Sequence, residues 1–227
     1  MQFDRLLKII TYEQLEKLNQ TKILIVGIGG VGGYALEAIV RSGIENITIV
    51  DSDDIDITNL NRQIISLHSN IGKKKVDVAK SSAKDINPNV KITTYDTFVL
   101  DSNIDSLFKH EYDYIIDACD TSSTKVALIK KAHELGIKII SCMGTGNKFD
   151  PTKLSITEIK KTNYDPLAKV LRKLLKDLGI NNKVMVVSST ESPVKTSDRT
   201  PGSIITVPAV AGLYCATYVI NDILEKH

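Results

Sequence analysis

Lys22-Ile23-Leu24-Ile25-Val26-Gly27-Ile28-Gly29-Gly30-Val31-Gly32-Gly33 decides the fold. An apolar, β-branched run that breaks into glycines reads as a buried strand, a tight turn and the start of a helix. The bare amides of such a turn can approach a phosphate, which the positive end of the helix favours. The next apolar run, Ile47-Thr48-Ile49-Val50, ends on Asp51. That is about 20 residues past the glycines, where dinucleotide-binding folds hold a ribose. Gly27, Gly29, Gly30, Gly32 and Asp51 are therefore candidate nucleotide ligands.

Outward from this stretch, apolar runs and helical periodicity alternate. Strands are expected at 22–26, 46–50, 90–95, 112–118 and 137–142, and helices at 31–42, 73–86 and 123–135, with Gly43 and Gly136 as stops. Such alternation predicts an α/β fold, a Rossmann-like doubly wound, mainly parallel sheet. After Asp150-Pro151 the alternation fails. Runs at 153–159 and 183–188 look like strands flanking one helix, an insertion that would extend the sheet in antiparallel fashion. Asp165 is the expected N-cap of that helix, Pro166 its first residue and Gly179 its stop. Leu167, Val170, Leu171, Leu174, Leu175 and Leu178 give it one apolar face. A last helix is expected near 208–225. The chain reads as one domain over 1–227: a nucleotide-binding core (1–150), an insertion facing the substrate (151–207) and a C-terminal helix (208–227).

The glycine pattern alone suits NAD as well as ATP. What separates them is the polar segment Asp51-Ser52-Asp53-Asp54-Ile55-Asp56-Ile57-Thr58-Asn59-Leu60-Asn61-Arg62-Gln63, followed by Gly72-Lys73-Lys74-Lys75. Hydride transfer has no use for it. Transfer of an AMP group does: a carboxylate attacking the α-phosphate of ATP builds charge on phosphorus oxygens, which Arg, Lys and Mg²⁺ stabilise. On these residues the chain resembles the ATP-dependent adenylating superfamily of ubiquitin-activating enzymes and the ThiF and MoeB type proteins. The resemblance implies that Asp51 holds the ribose, that Arg62, Gln63 and Lys75 hold the triphosphate, and that Asp120 helps place the metal. Asp53, Asn59 and Asn61 join the nucleotide set from the same segment. Lys73 or Lys74 are the alternatives in register to Lys75. Asp117, in Tyr114-Ile115-Ile116-Asp117-Ala118-Cys119-Asp120, ends the strand, whereas Asp120 lies past it and is the better metal ligand.

Composition agrees with a globular enzyme. The 227 residues are 42% hydrophobic and carry a net charge of +2, enough apolar material for a core and no strong polyelectrolyte character overall. No leader-like N-terminus and no run of 18 apolar residues is visible, so a cytoplasmic protein without membrane insertion is expected. Cys119, Cys142 and Cys215 are an odd number without a Cys-x-x-Cys pair. They build neither a disulfide framework nor the zinc site of many MoeB and ThiF type enzymes, and they read as small buried hydrophobes. Charge is concentrated in the insertion, where residues 151–183 hold eight Lys or Arg against three Asp or Glu. Lys160, Lys161, Lys169, Arg172, Lys173 and Lys176 suit a polyanion, although the sequence shows no stacking platform of interleaved aromatics.

Met143-Gly144-Thr145-Gly146-Asn147-Lys148-Phe149-Asp150-Pro151, Ile159-Lys160-Lys161-Thr162-Asn163-Tyr164-Asp165-Pro166-Leu167-Ala168 and Ser188-Ser189-Thr190-Glu191-Ser192-Pro193 are similar to motifs of the tRNA threonylcarbamoyladenosine dehydratase family. The resemblance implies ATP and Mg²⁺ as cofactors, tRNA carrying threonylcarbamoyladenosine as substrate, and a homodimer in which Arg5 of Phe3-Asp4-Arg5 reaches the triphosphate. Sulfur-transfer proteins are candidate partners. It implies adenylation of the threonyl carboxylate, then ring closure with loss of AMP; the sequence does not single out the base for that closure, for which His68, His133 and Glu191 are available. Two other readings stand beside it: adenylation of the C-terminal glycine of a ubiquitin-like protein, and an NAD-binding Rossmann protein. The Ser-, Thr- and Pro-rich segment 189–202, with Lys195 and Arg199, is expected to cover the crevice.

Overall fold

The computed structural model describes residues 2–180, 183–197 and 200–226. Arg199 therefore lies outside the described residues. Alternation along the first strand, β1 (Lys22–Val26), fixes two helical layers: Ile23 and Ile25 enter one apolar cluster, Leu24 and Val26 the other. The parallel strands β2 (Asn46–Val50), β3 (Lys91–Tyr95), β4 (Tyr114–Asp117) and β5 (Lys138–Cys142) repeat this pattern beside it. Before β1 stands α1 (Tyr12–Gln20), which the sequence reading did not include. Its signal was present: Thr11 and Gln14 form a capping box, in which each side chain accepts from the other's backbone amide.

The first face of the sheet is covered by α2 (Gly32–Arg41) and α3 (Lys75–Ile86), the second by α4 (Ser122–Leu135). The insertion runs β6 (Leu154–Glu158), α5 (Pro166–Asp177), β7 (Met185–Ser189), and α6 (Thr206–Ile223) returns across α2 and the insertion end of the sheet. The strand order is β3-β2-β1-β4-β5-β7-β6. One antiparallel pair, β6 with β7, closes the sheet, while β7 runs parallel to β5. Thus the expected antiparallel extension is confined to the edge strand.

Helix α5 begins as its residues dictate, with the Asp165 carboxylate accepting from the Ala168 amide at 3.0 Å and Pro166 in the first turn. Its apolar face divides, however. Ala168, Leu171 and Leu175 are buried with Ile129, Met143 and Val186, whereas Val170, Leu174 and Leu178 stay exposed. Among the described residues no helix is long and apolar enough to cross a membrane.

Candidate nucleotide and adenylation site

In an open α/β sheet ligands gather beyond the carboxyl ends of the strands, where the strand order reverses. Here the order reverses between β1 and β4, and a cavity of about 520 Å³ opens there. Gly27 turns the chain out of β1. Its φ is +88°, and an added Cβ would lie 2.8 Å from the Ala118 carbonyl oxygen, so only glycine fits on both counts. At Gly32 the demand is close approach, since a Cβ would lie 1.7 Å from the Gly27 carbonyl oxygen. Gly32 therefore does not line the cavity; it lets α2 begin directly on the turn. Gly27, Gly29 and Gly30 do line it, and Val31, at the head of α2, offers no side-chain cap. An uncapped helix start suits an anion.

Asp51 follows β2, and its carboxylate accepts from the Ile28 amide at 2.6 Å and the Asp53 amide at 2.9 Å. This braces the glycine turn and holds the carboxylate at the cavity wall. Lys75, the first residue of α3, is 4% exposed; its Nζ lies 2.7 Å from Asp53 and 3.9 Å from Asp51. Lys73 and Lys74 turn elsewhere, Lys73 to Asn70 and Lys74 to Asp54 and Asp96. Hence Lys75 is the lysine that lines the cavity.

Arg62, Gln63 and Asn59 come from the loop between β2 and α3 and line the same space. Asn59 is fixed by accepting from the Asp56 amide at 3.1 Å. Arg62 donates to the Thr58 carbonyl at 2.8 Å and to Asn61 at 3.0 Å. Asn61 itself is not a lining residue: it donates to the Ser203 carbonyl at 3.0 Å and so ties this loop to the segment before α6. Arg5 also stands apart. It is exposed in the turn after Phe3, which packs near Gly43 at the far end of α2, roughly 15 Å along the helix from its start.

Beyond β4, Asp120 lines the cavity and accepts from the Thr121 hydroxyl at 3.2 Å. Asp117 does not reach it. That carboxylate is fully buried, 3.1 Å from the equally buried Lys125 ammonium, and accepts from the Ser141 hydroxyl. Cys119 lies between the two aspartates. Burial, followed by the Asp117 charge, raises its thiol pKa well above the ordinary value, the opposite of what a nucleophilic thiol needs. Among the described residues no cluster of three or more His, Cys, Asp or Glu could hold a metal. A single carboxylate beside a triphosphate is nonetheless the usual provision for Mg²⁺, which keeps most of its waters and takes substrate oxygens. Asp120 fits that need.

Several lining residues were given no place at the cavity by the sequence reading. Thr97, Phe98 and Val99 follow β3, Gly144 and Thr145 follow β5, and Ser203 and Pro208 arrive with α6. The residues after β3 and β5 could have been found from the rule that crevices form at strand carboxyl ends; Ser203 and Pro208 carry no such signal. Of the candidate bases, Glu191 accepts from the Phe149 and Asp150 amides at 3.0 and 2.9 Å. Neither it nor His68 or His133 lines the cavity. The described part of segment 189–202 is stitched to Asn147, which accepts from the Val194 and Gly202 amides and donates to the Gly202 carbonyl.

On the insertion, Lys160, Lys161, Lys169, Lys173 and Lys176 are exposed. Lys161 pairs with Glu158 at 3.1 Å. Arg172 differs from the expectation of a surface contact. It is half-buried and donates to the Ile159 and Thr162 carbonyls and the Thr162 hydroxyl, fastening α5 to the turn that carries Lys160.

This arrangement has close counterparts. A tRNA threonylcarbamoyladenosine dehydratase of Bacillus subtilis (strain 168) is 39% identical over 99% of this chain and 95% of its own length. One of Escherichia coli (strain K12) is 41% identical over 79% of this chain and 70% of its own. Crystal structures of the E. coli tRNA N6-threonylcarbamoyladenosine dehydratase TcdA, in complex with ATP and with AMP, superpose with a TM-score of 0.93 at 34% identity. They cover 99% of this chain and 94% of that one. The glycine turn, the carboxylate after β2 and the insertion thus stand within a matched whole, and a family model aligned to residues 3–227 gives it its name: the chain belongs to the ThiF family.

Proposed function

We propose that the protein catalyses the ATP-dependent cyclising dehydration of N6-threonylcarbamoyladenosine in tRNA. The observation that carries this is the meeting in one cavity of the Gly27–Gly30 turn, Asp51, Arg62, Lys75 and Asp120, in a chain matched end to end by dehydratases of that name. The substrate's threonyl carboxylate attacks the α-phosphate of ATP, and the bond to pyrophosphate breaks. A nitrogen or oxygen of the same modification then attacks the acyl carbon, AMP leaves, and the balance is loss of one water from the tRNA. Arg62, from the loop before α3, and Lys75, from the start of α3, both line the cavity and stabilise charge on the phosphorus oxygens, as does the uncapped start of α2. Asp51 positions the ribose. Asp120 would hold Mg²⁺, which supplies charge neutralisation on the phosphates when bound.

Ring closure is intramolecular, so orientation supplies much of its acceleration. That suits a cavity whose thiol is pushed toward the protonated form and whose candidate His and Glu bases lie outside it. The exposed lysines of the insertion would contact RNA phosphates. Arg5 would need a partner subunit to reach a triphosphate, which belongs to the homodimer reading. ATP and tRNA as substrates favour a cytoplasmic site of action, and sulfur-transfer proteins remain candidate partners.

The test is mass spectrometry of nucleosides from tRNA bearing the modification, after incubation with protein and ATP-Mg²⁺. The expected result is an ATP-dependent loss of one water that Arg62→Ala abolishes. An unchanged nucleoside together with ATP–pyrophosphate exchange on a ubiquitin-like protein would replace this reading with the sulfur-carrier one.

A further inference from the structure

Large apolar side chains left in water need a reason when they gather beside a site. Among the described residues the strongly exposed aromatic side chains are Tyr12, Phe98, Phe149 and Tyr164, and the last two are 64% and 68% exposed. Phe149 and Tyr164 stand far apart in sequence, but the fold ties their backbones together. Lys148, 2% exposed, lies 3.5 Å from the buried Asp165 carboxylate. Phe149 follows the lysine and Tyr164 precedes the aspartate, so each ring is carried by a neighbour of a buried ion pair.

The pair also fastens this rim to the cavity. Lys148 donates to the Gly144 carbonyl at 2.8 Å, and Gly144, Thr145 and Leu167 are cavity wall. Both backbones are firmly held. The Phe149 amide donates to Glu191, while Tyr164 sits between the buried Thr162 and Asp165 with φ +57°. A bulky residue in that conformation costs energy that asparagine or glycine would avoid. Lys160, Lys161 and Lys169 lie within a few residues of Tyr164 and are exposed.

We propose that Phe149 and Tyr164 form a stacking platform for unpaired RNA bases adjacent to the modified adenosine, with the insertion lysines on the flanking phosphates. This rests on the tRNA reading above and deepens it. Single-stranded nucleic acid is held by this combination of aromatic faces and a cationic track, and the charge of the insertion favours a polyanion over an apolar protein partner. The platform selects a looped, unstacked segment over a duplex, because paired bases offer no free face.

The experiment measures binding of an RNA stem-loop carrying the modified adenosine, and dehydration of that stem-loop, by the ATP-loaded protein. The variants are Phe149→Ala and Tyr164→Asn, the latter chosen because asparagine tolerates the positive φ, with Tyr164→Phe as the conservative control. Each ring removed is expected to weaken stem-loop affinity roughly tenfold, with KM for the stem-loop raised, KM for ATP unchanged, and Tyr164→Phe close to the parent. Unchanged stem-loop affinity in both variants overturns the platform while dehydration by the parent protein still supports the tRNA reading. A changed oligomeric state at constant RNA affinity also overturns it, assigning the rings to a protein interface. No binding of the stem-loop by the parent protein removes both.

Discussion

At the residue scale, the positions that read most clearly are those where the backbone allows one side chain. Gly27 was legible because a strand that must turn back beneath a helix start leaves no room for a Cβ. Gly27→Ala should destabilise the fold by more than about 1 kcal/mol and abolish ATP binding, checked by urea unfolding and by nucleotide titration. Lys75 was less legible. Three consecutive lysines offer the same chemistry, and only the start of α3 decides which ammonium enters the cavity. Asp117 illustrates the limit further, because its partner Lys125 lies across the turn from β4, in the first turn of α4, and nothing in the sequence announces that both are fully buried. Cys119 is half-buried at the cavity wall rather than the buried hydrophobe expected from sequence, and burial raises its thiol pKa; Cys119→Ser should keep most of the turnover, and the folded protein should resist thiol alkylation at neutral pH, measured by mass spectrometry with and without denaturant.

At the element scale, the Asp117–Lys125 pair joins the end of β4 to α4, and Ser141 adds the end of β5. Removing one charge strands the other in the core, so Lys125→Met should cost about 3–5 kcal/mol, and Lys125→Met with Asp117→Asn distinctly less. Urea unfolding of the single and double variants measures both. Burial alone would lower the Lys125 pKa, but the charge and hydrogen bond of Asp117, with Cys119 and Cys142 adding to them, together outweigh it, and the folded value is raised above the ordinary lysine value. A raised folded value means that the stabilisation is complete below about pH 10.4 and is lost as the pH climbs through the folded pKa. Alkaline unfolding of the parent protein should therefore show a loss of stability that Lys125→Met lacks. The elements themselves were mostly legible because strands and helices alternate with clean stops. α1 is absent from the sequence reading despite its capping box, and the sequence gives α5 a single apolar face without the division seen in the structure, because periodicity cannot tell which half of a wide apolar stripe meets its neighbours. Asp165 was legible as an N-cap, but its pairing with Lys148 was not, since that contact depends on where β5 and β7 bring the chain. Asp165→Ala should cost more than the loss of a cap, about 1 kcal/mol, because Lys148 is left buried without its partner.

At the scale of the whole molecule, the cavity is a joint product of the glycine turn, the loop before α3, the strand ends and α6. Whatever fills it should stabilise the entire fold. ATP-Mg²⁺ at a hundredfold excess over its Kd should add about 2.7 kcal/mol and raise the thermal midpoint, whereas NAD should not; differential scanning fluorimetry decides. What the sequence could not show at this scale was the long-range wall, because Ser203 and Pro208 reach the cavity only by the return of α6 over α2. That return also sets an order of events during synthesis. A Cβ on Gly212 would lie 2.2 Å from the Val31 carbonyl oxygen, so α6 seats directly on the head of α2. Of the elements that wall the cavity, it leaves the ribosome last. A nascent chain therefore carries this cavity open on one side until α6 has emerged and packed on α2.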